Sequence, residues 1–243
     1  MSEGSLLIFV PGFMQPGAAW GPVAERMPER YPSKCLDFAT DTFEGRLTEL
    51  AGAASGRPAA LVGYSMGGRL ALHAALSAPE RFSVLVLVGA SAGIDDRAAR
   101  AERRRADEQL AAWIERAPIA RVVERWERLP VFAGQAEQLV AEQRPGRLAH
   151  DPRRLARLLR SAGQGAMEPV WDELPALPLP VLAIAGARDE RYVEAAERVA
   201  ALTPHGRAES VPGASHAPQL ERPAAVAALV EHFLDEHLAE RLR

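Results

Sequence analysis

Four short apolar runs, each stopped by glycine or a Pro-Gly turn, limit what this chain can fold into. Leu6–Val10 stops at Pro11-Gly12, Ala59–Val62 at Gly63, Val84–Val88 at Gly89 and Val181–Ala185 at Gly186. Apolar runs without polar alternation suit strands covered on both faces, the condition of parallel sheets. Helical patterns lie between them at Gly67–Ser77, Tyr192–Leu202 and Pro223–His237. The last opens on proline and carries Val226, Leu229, Val230, Phe233 and Leu234 on one side. Strand and helix alternating on this scale imply βαβ units: an α/β fold with a mostly parallel central sheet flanked by helices.

The middle of the chain breaks that rhythm. Between Asp95 and Glu173 the pattern gives no strand, only helical stretches at Arg97–Arg116, Pro118–Arg128, Ala136–Arg144 and Pro152–Ser161. The expected organisation is a core domain made of 1–94 and 174–243, with 95–173 inserted as a helical cap over the active end. A chain of 243 residues is long enough for such a core.

Composition narrows the function classes. With 48% hydrophobic and 25% charged residues the chain reads as globular, not disordered. A net charge of −3 gives no reason to expect nucleic acid. The start, Met1-Ser2-Glu3-Gly4-Ser5 before Leu6–Val10, has no basic segment and too short an apolar run for a signal peptide or membrane span. The single cysteine, Cys35, excludes an internal disulfide; it reads as a small core residue in a cytoplasmic protein. No phosphate-binding loop, dinucleotide fingerprint or metal-spaced His/Cys cluster occurs, so no cofactor and no metal are expected.

Gly63-Tyr64-Ser65-Met66-Gly67 fits G-x-S-x-G, with an apolar strand before it and a helical pattern directly after, as that motif requires. The serine would sit on a sharp turn where a Cβ on either side clashes, which explains the glycines. A serine hydroxyl needs a base to act at neutral pH. Of six histidines, His73, His232 and His237 fall on helices, His150 near a helix start and His205 in a turn. His216, in Pro212-Gly213-Ala214-Ser215-His216-Ala217-Pro218, follows the last strand pattern, Ala208–Val211. That places it where a base is expected. The orienting carboxylate is Asp189, after the strand Val181–Ala185; Glu190 competes, with Asp95 and Asp96 as weaker candidates. Backbone N–H groups of Met66 and of the Pro11–Met14 loop, Phe13 favoured, would form an oxyanion hole.

These motifs resemble the α/β-hydrolase superfamily and, within it, the MenH family of 2-succinyl-6-hydroxy-2,4-cyclohexadiene-1-carboxylate (SHCHC) synthases. Three stretches carry the resemblance: Gly63–Arg69, the run Ala90–Glu108 with Ala101-Glu102-Arg103-Arg104-Arg105-Ala106-Asp107, and Trp126 followed by Leu129-Pro130-Val131-Phe132-Ala133. The resemblance implies that Ser65, activated by His216, abstracts a proton and pyruvate is eliminated, a carbon–oxygen lyase reaction without an acyl-enzyme. It also implies substrate binding by Arg69, Arg103 and Arg147, with Tyr64 and Trp126 in the pocket. Residues 97–160 hold fifteen arginines against nine acidic residues, a local excess that suits a small anionic substrate bearing several carboxylates. Two departures stand out: Pro11-Gly12 replaces the family's His-Gly, and Leu36–Phe43 lacks a D-x-P-G-H-G-like segment. Two other readings compete: a carboxylesterase or thioesterase using Ser65 for acyl transfer, and a non-catalytic binding protein of the same fold. The sequence is silent on oligomeric state.

Overall fold

The computed structural model describes residues 5–54, 56 and 58–238. The N-terminal residues read above for targeting, 1–4, lie outside that range. Strand β1 (Leu7–Val10) leads through the short helix α1 (Gly21–Ala24) to β2 (Ser33–Cys35) and α2 (Phe43–Ala53). Then come β3 (Ala59–Tyr64), α3 (Met66–Ser77) and β4 (Phe82–Val88). Four helices follow before the sheet resumes: α4 (Arg97–Ile114), α5 (Ile119–Glu127), α6 (Glu137–Leu148) and α7 (Pro152–Ala162). The chain ends with β5 (Val181–Gly186), α8 (Glu190–Leu202), β6 (Gly206–Val211), α9 (Pro218–Glu221) and α10 (Pro223–Leu238).

The six strands form one sheet in the order β2-β1-β3-β4-β5-β6, and every pairing is parallel. The apolar runs are unbroken because successive residues serve two cores. Ile8, Val10, Leu61, Leu85, Leu87 and Ala183 pack with α3 and α8 on one face. Leu7, Phe9, Ala60, Val62, Val84, Val86 and Ile184 pack with α10 and Trp20 on the other. A period-two backbone with both faces covered leaves no position for a polar residue.

Besides the four-residue helices α1 and α9, two elements escape the sequence pattern. β2 is three residues of edge strand, Ser33-Lys34-Cys35, mostly exposed and paired only with β1, so no apolar run marks it. Helix α2 buries only Leu50; its start is marked by Thr42, whose hydroxyl accepts the Gly45 N–H at 3.2 Å. Cys35, expected in the core, is instead half-buried on β2 and packs against the core from the sheet edge, because an edge strand is covered on one side only; burial pushes its thiol pKa up.

Strand order also fixes where a ligand can enter. The chain leaves β1 toward β2 on one side and returns as β3 on the other. The carboxyl ends of β1 and β3 therefore flank a switch point, where loops diverge and leave a crevice. β3 can run straight into α3 only because glycines allow close approach. A Cβ on Gly63 would lie 2.6 Å from the Gly67 carbonyl oxygen, and one on Gly67 would collide with the Val10 and Pro11 carbonyls.

Gly63→Ala is expected to lower folding stability by about 1–3 kcal/mol through that overlap, read as the urea midpoint at unchanged slope. A second expectation concerns pH. His73 on α3 packs edge-on against Phe43 at 5.1 Å, and burial holds its pKa down to about 4. The unfolded chain titrates this imidazole near its ordinary value, so between roughly pH 6.5 and 4 the unfolded state binds the extra proton. This contribution destabilises the fold as pH falls through that window, by at most about 3 kcal/mol, and levels off below it. Melting temperatures at pH 7.5 and 5 should differ less in His73→Leu than in wild type.

Candidate active site

Ser65 sits between β3 and α3 with φ 50° and ψ −112°. Such a conformation costs a non-glycine residue on the order of 1–3 kcal/mol and persists only where its surroundings enforce it. The enforcement is the glycine packing beneath the turn, with the Ser65 N–H donating to the Val88 carbonyl at 2.9 Å. The hydroxyl is thereby lifted off the sheet end at the head of α3.

Two loops from the far half of the chain reach it. The loop after β6 brings His216 Nε2 to 3.3 Å from Ser65 Oγ. The loop after β5 brings Asp189 Oδ2 to 2.8 Å from His216 Nδ1. With the proton on Nδ1 directed at the carboxylate, the Nε2 lone pair faces the hydroxyl. His216 is buried, its ring stacked at a tilt on Tyr192 at 4.5 Å and on Tyr64 at 5.4 Å. Burial keeps the Tyr64 phenol well above its ordinary pKa, so the ring stays neutral. The other carboxylates are occupied or remote: Glu190 opens α8 in solvent, Asp95 pairs with Arg198 at 2.6 Å, and Asp96 caps α4 by accepting the Ala99 N–H.

Ser65 opens into a cavity of about 700 Å³ between the strand ends and the inserted helices. Phe13, Tyr64, Met66, Arg69, Arg103, Trp126 and Arg147 all line it, together with Ser65 and His216. Asp189 stands behind His216. Phe13 packs edge-on against Trp126 at 5.3 Å, and Trp126 against Phe132 at 5.6 Å, giving an apolar wall. Among the described residues no carbonyl takes the N–H of Phe13 or Met66. The side chain lost with Pro11 leaves the loop supported otherwise: the Gly12 N–H donates to Gln15 Oε1 at 3.4 Å, and Met14 takes a positive φ of 62°.

The three arginines are held differently. Arg69 is 6% exposed, its Nε lies 3.4 Å from the Met167 sulfur, and no carboxylate among the described residues is within ion-pair distance. Burial, reinforced by the charge of Arg103, pushes its pKa down. Arg103 is half-exposed and braced: Nε donates to Asp107 at 2.7 Å and Nη1 to Gln164 at 3.0 Å. Arg147 is buried and pairs with Glu127 at 3.2 Å, a carboxylate it shares with Arg144, while its Nε has no hydrogen-bond partner among the described residues. An unpaired buried cation is unfavourable unless an anion joins it. Three guanidinium groups thus line one cavity, and Arg69 has no carboxylate within ion-pair distance among the described residues. Among the described residues no group of three or more His, Cys, Asp or Glu is gathered as metal ligands would be, and no helix is long and apolar enough to cross a membrane.

Sequence reasoning missed Gln15, Asp107, Phe132, Gln164 and Tyr192. Tyr192 carried a signal, standing one helical turn after Asp189; Asp107 stands one turn after Arg103. Gln164 meets Arg103 across 61 residues, a contact no local pattern announces.

Comparison with known proteins gives a consistent picture. A model described as the alpha/beta hydrolase family matches residues 7–229. A Bacillus subtilis (strain 168) protein, provisionally named 2-succinyl-6-hydroxy-2,4-cyclohexadiene-1-carboxylate synthase, is 37% identical over 177 residues, which are 72% of this chain and 65% of that protein. The synthase of that name from Salmonella schwarzengrund (strain CVM19633) is 35% identical over 170 residues, 68% of this chain and 64% of its own. The matched part is therefore just under two thirds of each relative's length. The solved structure of MenH from S. aureus superposes with a TM-score of 0.91 at 27% identity, covering 98% of this chain and 96% of that one.

Arg69→Met is expected to raise the stability of the ligand-free protein by about 1–2 kcal/mol, because it removes an unpaired buried charge. Millimolar succinate is expected to raise the melting temperature of the wild type by mass action, and the same change should abolish that rise. A fall in ligand-free stability would contradict the argument.

Proposed function

The chain belongs to the alpha/beta hydrolase family, and from that premise we propose that it is a carbon–oxygen lyase of the SHCHC synthase type. The observation that carries the reading is the buried, carboxylate-free guanidinium of Arg69 in the same cavity as Ser65 and His216. A neutral ester would leave that charge unsatisfied; a substrate with several carboxylates completes it. The relatives' names support the same reading.

In this proposal Asp189 fixes the His216 tautomer and stabilises the imidazolium that forms. His216 takes the Ser65 proton, and the serine oxygen removes a proton from a carbon of the substrate. The electron pair of that C–H bond forms a new carbon–carbon double bond. The carbon–oxygen bond to the enolpyruvyl group breaks, and the released enolate takes up a proton to become pyruvate. The proton on the catalytic pair returns to solvent, and no acyl-enzyme forms. Arg69, Arg103 and Arg147 would anchor carboxylates, the Phe13–Trp126 wall would hold the ring, and α4–α7 would act as a cap that excludes water.

One observation favours a second reading. The N–H groups of Phe13 and Met66, which meet no backbone carbonyl among the described residues, would serve as an oxyanion hole for acyl transfer by a carboxylesterase or thioesterase.

Incubating the purified protein with the enolpyruvyl precursor should yield SHCHC and one equivalent of pyruvate. Ser65→Ala and His216→Ala should each reduce turnover by about 10³-fold or more. No product from folded wild type would end the lyase reading. Burst and turnover of p-nitrophenyl acetate, abolished by Ser65→Ala, would replace it with the hydrolase.

A further inference from the structure

The segment Ser215-His216-Ala217 is held from two sides, and one hold is a carboxylate that does not line the cavity. On its carbonyl side the segment rests on glycines at strand ends. A Cβ on Gly89 would lie 2.8 Å from the His216 carbonyl oxygen, and one on Gly186 would collide with that of Ser215. The Arg188 N–H donates to the neighbouring Ala214 carbonyl at 2.9 Å. On its N–H side a single group takes both donors that flank His216. Glu221 Oε2 accepts the Ser215 N–H at 2.8 Å, and Glu221 Oε1 accepts the Ala217 N–H at 3.3 Å. Glu221 lies on α9, whose Leu220 and Glu221 N–H groups return to the Ala217 carbonyl. Loop and helix are cross-tied through this one side chain.

We infer that Glu221 is a positioning residue that sets how far the His216 imidazole reaches toward Ser65; the inference rests on the Ser65–His216 reading above. Asp189 holds the imidazole by its ring nitrogen, and Glu221 holds the backbone that carries it. The Nε2–Oγ separation of 3.3 Å is already at the long end of a hydrogen bond, so a further displacement of a fraction of an ångström weakens proton transfer steeply. The loop has no secondary structure to stiffen it, so its position depends on these side-chain and backbone ties. Hydrogen bonds to a carboxylate are about twice as strong as neutral ones, and here two converge on one group. Without the acceptor, two part-buried N–H groups lose their partner, and the loop gains a reason to move.

The test reads serine activation directly, independent of the true substrate. A fluorophosphonate forms a bond from Ser65 Oγ to phosphorus as the P–F bond breaks; fluoride leaves and the hydroxyl proton passes to His216 Nε2. The maximal labelling rate and the half-saturating concentration are measured for wild type, Glu221→Gln and Glu221→Met. Ser65→Ala serves as the blank. Asp235→Asn, which loosens Arg30 and Tyr31 far from the cavity, serves as a destabilised control. Gln keeps one acceptor oxygen and should slow the maximal rate by about 10-fold; Met keeps none and should slow it by about 100-fold. Half-saturation should stay within about twofold of wild type in both, because the cavity wall is untouched. The control should label at the wild-type rate, since lowered stability alone does not slow the folded protein. Wild-type labelling by folded Glu221→Met overturns the inference and leaves the Ser65–His216 reading standing. If Glu221→Met does not fold, a wild-type rate for Glu221→Gln overturns it equally. Labelling of the wild type no faster than the Ser65→Ala blank overturns the reading itself, and the inference with it.

Discussion

The close approach of β3 and α3 at Gly63 and Gly67 is the contact on which the rest of this structure depends. A serine at φ 50° is unfavourable alone, and its side chain makes no hydrogen bond that caps α3. The conformation survives because the α3 backbone lies directly against the ends of β1 and β3, closer than any Cβ would permit. Strain stored at one residue is thus held by the burial of two whole elements. It delivers a hydroxyl to the place where strand order reverses and the sheet leaves a crevice.

Charge in the cavity follows a similar logic of local loss and remote support. Arg103 and Arg147 are braced by Asp107, Gln164 and Glu127, so their forks are oriented before a ligand arrives. Arg69 meets the Met167 sulfur and has no carboxylate within ion-pair distance among the described residues. Such a group is unfavourable for the empty protein and favourable once an anion enters. The large cores on both sheet faces give the fold enough stability to tolerate it.

His216 shows how a loop can be held from several sides without being regular. Glycines at the ends of β4 and β5 make room for its carbonyl side, aromatic rings hold the imidazole faces, and carboxylates hold one ring nitrogen and the flanking N–H groups. Each restraint comes from a different element, so the geometry is over-determined in the folded state and absent in the unfolded one.

Much of the fold was legible because strand and helix periodicity are short-range properties. The apolar runs at Leu6–Val10, Ala59–Val62, Val84–Val88 and Val181–Ala185 each became a strand, since a strand buried on both faces has no freedom to be polar. β2 was invisible for the opposite reason: an edge strand paired on one side tolerates Ser33-Lys34-Cys35. The serine turn could be read from five residues because Gly63 meets the backbone of Gly67 and Gly68 a few residues on, although the collision that Gly67 avoids, with Val10 and Pro11, is a tertiary contact. Which carboxylate reaches His216, which arginine lacks a partner and which side chain ties the histidine loop were decided only by tertiary structure. His216 and Ser65 are 151 residues apart, and Arg103 and Gln164 are 61 apart. Contacts over such separations are set by sheet register and helix packing, which no local pattern encodes, whereas backbone sterics within a few residues are written in the chain itself.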